Sequence, residues 1–263
     1  MNSLLKPCFK AMGKVAGFLW KKGWAEKNAG NISINVSDLL SLEEVERYDK
    51  SVFFEMEKHT PALAGKVLII TASGSRMRDV KKNPQRETCL IEINDTGRKY
   101  RILSTGEVGT EVQPTSEMPA HLAIHDFLVR NQRQERVVLH AHVTEAIMLT
   151  HHPDFKKEES INNLLWRMQP ETSLFIPEGV GFVPYKKPGS YDIAQSTAEK
   201  LFNHKAVIWE KHGCTVIDED LENAFDLMDI IGKTIRMYLE CRKAGFEPEG
   251  LTNEQLDQIR KKL

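Results

Sequence analysis

Apolar residues recur at spacings of three and four along the first stretch of the chain. Leu5, Phe9, Met12, Ala16 and Leu19 predict an amphipathic helix over residues 4–22. The period then shortens to two: Ile32-Ser33-Ile34-Asn35-Val36 alternates and predicts a strand. Val67-Leu68-Ile69-Ile70-Thr71 is a continuous apolar run, which predicts a buried strand. Residues 89–93 and 99–103 predict paired strands around the turn Asn94-Asp95-Thr96-Gly97. A helix follows Ser116, with Pro119 in its first turn, where a missing N–H costs nothing. Residues 137–143 predict another strand and residues 144–149 the start of a helix. Leu174-Phe175-Ile176, residues 206–209 and residues 214–217 predict three more strands. Ser190 caps a predicted helix from Tyr191 to about Asn203, and a long helix over residues 221–244 stops at Gly245. The acidic segment over residues 38–58 predicts a surface helix, and a short helix is expected after Thr252. Hairpin signals beside helices predict one α/β domain over residues 1–263, with helices on a mostly antiparallel sheet.

Composition narrows the functional classes. Of 263 residues, 41% are hydrophobic and 28% charged, and the net charge is -1. Such a chain buries a core without disulfide staples. It carries no basic block, which argues against a nucleic-acid or membrane-surface partner. Cys8, Cys89, Cys214 and Cys241 are far apart with no CxxC, which points away from a thiolate metal site and towards a reducing cytoplasm. Lysines interrupt the apolar N-terminal positions, so no signal peptide or membrane span is expected.

The candidate chemistry centres on residues 114–144. His140 and His142 stand two apart on a predicted strand and so share a face. Read alone, His-x-His is equally a pair of partly exposed strand histidines. His212, between an apolar strand and Gly213, is a candidate third ligand, and three imidazoles with an open position describe a catalytic zinc site. Glu117, near a helix start that favours its ionised form, is the candidate acid/base. His121 and His125 share a helix face with Glu117 and form a weaker alternative ligand set. Three polar turns, over residues 28–31, residues 73–75 and Thr115-Ser116, each offer donors to an anion, although any one of them alone is more often an ordinary turn or cap.

Asn28-Ala29-Gly30-Asn31-Ile32-Ser33, Thr71-Ala72-Ser73-Gly74, Pro114-Thr115-Ser116-Glu117, His140-Ala141-His142 and Lys211-His212-Gly213 occur in the order found in the class II aldolase/adducin family, which the chain resembles over nearly its whole length. The Lys22-Gly23-Trp24 lead-in and the run Pro-Thr-Ser-Glu-Met-Pro-Ala-His resemble the members that act on L-rhamnulose 1-phosphate more than the shorter fuculose-phosphate enzymes. Ser75-Arg76-Met77 departs from the family pattern, although the turn before it is kept.

The resemblance implies a three-layer α/β/α fold, a homotetramer, and one zinc ion per chain held by His140, His142 and His212. It implies retro-aldol cleavage of L-rhamnulose 1-phosphate to dihydroxyacetone phosphate and L-lactaldehyde through a zinc-bound enediolate, with Glu117 as acid/base. By the same resemblance Asn28, Asn31, Ser73, Gly74, Thr115 and Ser116 hold the phosphate, and Glu171 reaches a neighbouring subunit's site for a second proton transfer. The competing readings are an aldolase or epimerase for another sugar phosphate, an adducin-like binding domain, and a metallohydrolase using the same histidines.

Overall fold

Nine strands share a single sheet, and their order brings together stretches far apart in the chain. The computed structural model describes residues 3–104 and 109–260. In chain order the elements are α1 (Lys6–Lys22), β1 (Asn31–Asn35), α2 (Leu42–Glu46), β2 (Phe54–Glu55), β3 (Val67–Thr71), α3 (Met77–Val80), β4 (Thr88–Ile93), β5 (Lys99–Leu103), α4 (Met118–Arg130) and β6 (Val137–Ala141). They continue with α5 (Thr144–Leu149), α6 (Glu158–Met168), α7 (Pro170–Phe175), β7 (Gly181–Val183), α8 (Tyr191–Lys200), β8 (Ala206–Trp209), β9 (Gly213–Asp218), α9 (Leu221–Lys243) and α10 (Asn253–Arg260). The strand order is β2-β5-β4-β3-β1-β6-β9-β8-β7. Neighbours are antiparallel except β7 and β8, which run parallel.

Strand alternation divides the core between two helical layers. Ile32 and Ile34 of β1 and Val137, Leu139 and Ala141 of β6 pack with Phe9, Met12, Leu19, Phe225, Met228 and Ile231 of α1 and α9. Val138, Val207, Trp209 and Ile217 face the other way, onto Ala120, Ile124, Phe127 and Ile193 of α4 and α8. Leu68, Ile70, Ile91 and Ile102 extend that second face towards Leu122. Helices on both faces of one mostly antiparallel sheet form the expected α/β/α arrangement. Each fully buried side chain of this kind stabilises the fold by roughly 1.5–3 kcal/mol before ordering costs. Among the described residues, no helix is long and apolar enough to cross a membrane.

Three local expectations are corrected. Residues 38–58 do not form one helix. Ser41 starts α2 with a reciprocal capping box, but the chain then leaves to pair at the sheet edge, where Phe54 lies opposite Tyr100. Leu174-Phe175-Ile176 is not a strand: Pro170 opens the short helix α7, which ends at Phe175. A three-residue apolar run has no period with which to separate the two. The histidine strand stops at Ala141, before His142. The pattern also left α6 and β7 unassigned.

Candidate metal centre and active site

His140 is the residue of β6 next to its last, and alternation turns it to the α4 side, where its ring stacks on Trp209 at 4.4 Å. His142 stands just beyond the strand, its N–H donating to the Trp24 carbonyl at 3.0 Å. Trp24 is itself buried, and its indole N–H donates to Glu145 at 2.8 Å. His212 comes from the turn between β8 and β9, where Trp209 pairs with Gly213. Lys211 takes a left-handed φ of 58° there, and its N–H donates to the Thr150 hydroxyl at 2.9 Å. A Cβ on Gly213 would lie 2.2 Å from the Ala141 carbonyl oxygen, so a glycine is required beside the histidine. The result is one ring nitrogen from each of His140, His142 and His212 within 4.8 Å of one another.

The hydrogen bonds around these rings suit a metal. His140 Nδ1 lies 3.0 Å from the Cys214 carbonyl, which only accepts, so Nδ1 carries the proton and Nε2 presents its lone pair. That Nε2 is buried and has no hydrogen-bond partner. Burial also pushes the His140 imidazole down to about 3, so it is neutral. His142 Nδ1 donates to Glu26 at 2.6 Å. A carbonyl behind His140 and a carboxylate behind His142 form the arrangement that orients metal-ligating histidines. His212 Nδ1 is buried without a partner. Three convergent imidazoles of this kind can hold a metal ion.

Glu117 sits immediately before α4. Its Oε2 is 3.5 Å from His140 Nε2 and its Oε1 is 3.4 Å from His212 Nε2. The Asn31 amide donates to Oε2 at 3.1 Å, because β1 lies beside β6 with Asn31 opposite His140. Burial alone would raise the Glu117 carboxyl. His140, His212 and Asn31 together outweigh it and hold the group well below the usual carboxylate range, so the carboxyl is ionised.

The three polar turns converge at the same end of the sheet. Ser73 N–H donates to the Gln113 carbonyl at 2.8 Å, and Thr115 N–H to the Thr71 carbonyl at 2.9 Å, so Ser73-Gly74 lies beside Thr115-Ser116. Asn31 leads into the adjacent strand. Asn28, Ser73, Gly74 and Ser116 are exposed, Thr115 is half-buried, and Asn31 is buried. His121 and His125 are buried beneath Ser33 and are not part of the metal cluster. Glu171 is exposed in the first turn of α7 and is not among the groups gathered at the three imidazoles. Sequence reasoning missed Glu26, Trp209, Thr215 and the Asn31–Glu117 bond. A lone glutamate or tryptophan carries no periodic signal that marks it as a partner to a histidine far along the chain.

Fold and site together define a class: an α/β/α protein that gathers three imidazoles around a metal-sized space, with a carboxylate facing them and polar turns alongside. The chain belongs to the class II aldolase and adducin family, whose N-terminal domain matches residues 10–239. It is 36% identical over 249 residues to a rhamnulose-1-phosphate aldolase from Bacteroides thetaiotaomicron, covering 94% of this chain and 91% of that one. A rhamnulose-1-phosphate aldolase from Listeria welshimeri is 32% identical over 256 residues, covering 95% and 89%. Among solved structures, a sugar-phosphate aldolase from Thermotoga maritima superposes with a TM-score of 0.79 at 31% identity, covering 93% of this chain and 98% of that one.

Proposed function

We propose that the protein is a metal-dependent aldolase of rhamnose catabolism that cleaves L-rhamnulose 1-phosphate to dihydroxyacetone phosphate and L-lactaldehyde, with residues 1–263 forming one class II aldolase domain. The observation that carries this reading is Glu117 facing two of three convergent imidazoles, in a chain similar over nearly its whole length to proteins of that name. His140, His142 and His212 hold the ion. Zinc suits three imidazoles with an open position, and when bound it supplies a Lewis acid to the substrate's oxygens.

The chain's own residues supply the rest. Asn28, Asn31, Ser73, Gly74, Thr115 and Ser116 bind and orient the phosphate. The convergence of their turns supports this, as does the Asn31 amide, whose second N–H is not used by Glu117. Glu117 takes the proton from the C4 hydroxyl. The C3–C4 bond then breaks, its electron pair passing towards the C2 carbonyl oxygen, and C4 leaves as the aldehyde carbon. A proton returned to C3 completes dihydroxyacetone phosphate, so atoms and charge balance. Glu171, exposed on its own subunit, handles this second transfer at a neighbour's site within a cytoplasmic homotetramer.

A coupled assay for dihydroxyacetone phosphate across a panel of ketose 1-phosphates tests the assignment. L-rhamnulose 1-phosphate should be cleaved fastest, and chelation should abolish turnover. Faster release from L-fuculose 1-phosphate would move the protein to another substrate. Full activity of metal-free protein would refute the chemistry.

A further inference from the structure

Glu117 is held by more than the metal-site residues. A line of buried polar groups runs from it, between β1 and α4, away from the three imidazoles. A carboxylate oxygen only accepts, so the Asn31 atom 3.1 Å from Glu117 Oε2 is the amide nitrogen. Asn31 Oδ1 then faces His121 Nε2, which must donate. In a neutral imidazole that leaves His121 Nδ1 as the acceptor, so the Ser33 hydroxyl at 2.6 Å donates to it. The Ser33 oxygen is in turn free to accept from His125 Nε2 at 2.8 Å. Each link has one donor and one acceptor, and the direction of the whole line follows from the carboxylate at its end.

Asn31, Ser33, His121 and His125 are 5%, 0%, 2% and 1% exposed. Two imidazoles and a hydroxyl are costly to place where an apolar core would pack. A network serving only its own satisfaction would close on itself. This one terminates on the carboxylate that faces His140 and His212. An amide has no titrating proton, so the line is a brace and not a proton path.

We propose that His121, backed by Ser33 and His125, is a positioning residue that fixes which way the Asn31 amide faces and, through it, the orientation of Glu117. An amide turned over would set its carbonyl oxygen against the carboxylate. The His121 Nε2 proton prevents this by claiming Oδ1. Backbone geometry places β1 against β6, but it does not choose between the two faces of an amide. The inference rests on Glu117 being the acid/base of the proposed cleavage.

His121→Met removes the donor and keeps an apolar side chain of similar reach. Its kcat should fall about 10–100-fold, as when an outer partner of a catalytic group is lost, with metal content unchanged. KM for the sugar phosphate should rise as well, because a turned Asn31 amide also takes its second N–H away from the phosphate. His121→Gln, whose amide N–H can stand where Nε2–H stood, should recover most of kcat. A His121→Met enzyme as fast as wild type, or a folded His121→Gln enzyme as slow as the Met variant, would overturn the brace. Nuclear magnetic resonance of the unmodified, metal-free protein with isotope-labelled histidine supplies a second readout that no misfolding can cloud. His121 should be protonated at Nε2 and bare at Nδ1, and the opposite tautomer would overturn the proposal. If wild type cleaves no ketose 1-phosphate, the reaction assignment fails while the tautomer still reports on the brace, so the two failures are separate.

Discussion

Glu117 faces two imidazoles and an amide at once, which separates it from an ordinary first-turn glutamate. Replacing it with Gln keeps the shape and removes the base. Glu117→Gln should retain metal but lose about 10²–10⁴-fold in kcat, the contribution of a general base. Metal analysis beside the coupled assay checks both halves, and unchanged turnover removes Glu117 from the mechanism. Glu26 makes a different prediction. It touches the site only through His142 Nδ1, so its task is to hold that ring. Glu26→Ala should weaken metal binding about 10–100-fold, read by competition with a chelator, while turnover of the metal-saturated enzyme stays within a few-fold.

The turn between β8 and β9 shows how a small element sets a ligand. Three residues, Glu210, Lys211 and His212, span the gap between the paired Trp209 and Gly213. Glu210 accepts from the Tyr185 N–H at 2.9 Å, and Lys211 N–H is tied to Thr150, so both sides of the turn are anchored. Gly213 passes so close to Ala141 that a methyl group has no room. Gly213→Ala should therefore push the turn away from β6 and carry His212 with it. The expected cost is about 1–3 kcal/mol of stability from a strained turn, together with loss of stoichiometric metal. Calorimetry with metal titration measures both, and a variant that binds metal as wild type does would show that the turn relaxes.

The whole molecule carries two further consequences. Burial pushes His121 down to about 4 and His125 and His140 to about 3, against 6.5 when exposed. The unfolded chain takes up protons that the folded chain refuses, so this stability is complete above about pH 6.5 and is lost as pH falls through the window towards 3. At pH 5 each buried histidine costs about 2 kcal/mol. Urea midpoints of metal-free protein at pH 7 and pH 5 should show the drop, and equal midpoints would contradict neutral burial. The second consequence concerns assembly. If Glu171 serves a neighbouring site, mixed oligomers of Glu117→Gln and Glu171→Ala subunits contain sites with both glutamates intact. Activity should reappear on mixing two inactive variants, and its absence would confine Glu171 to its own chain.

Hydrophobic period exposed α1, α4, α8, α9 and most strands, because each buries one face and neighbours in the chain set that face. The groups of the candidate site were legible for another reason: few side chains suit a metal or a proton transfer, and His140, His142, His212 and Glu117 stand in short, ordered motifs. The period could not decide short runs such as Leu174-Phe175-Ile176, where Pro170 and packing chose a helix. It also gave no strand order. That order places Asn31 beside His140 and, across 86 residues, bonds it to Glu117. It sets Glu26 against His142 across 116 residues. It turns His121 and His125 from candidate ligands into a brace behind the carboxylate. The chemistry available to this chain is written in its residue types and their spacing. Which groups meet, and in which protonation state, is decided by the sheet that brings distant donors and acceptors to one buried end, where burial makes every unpaired polar atom costly.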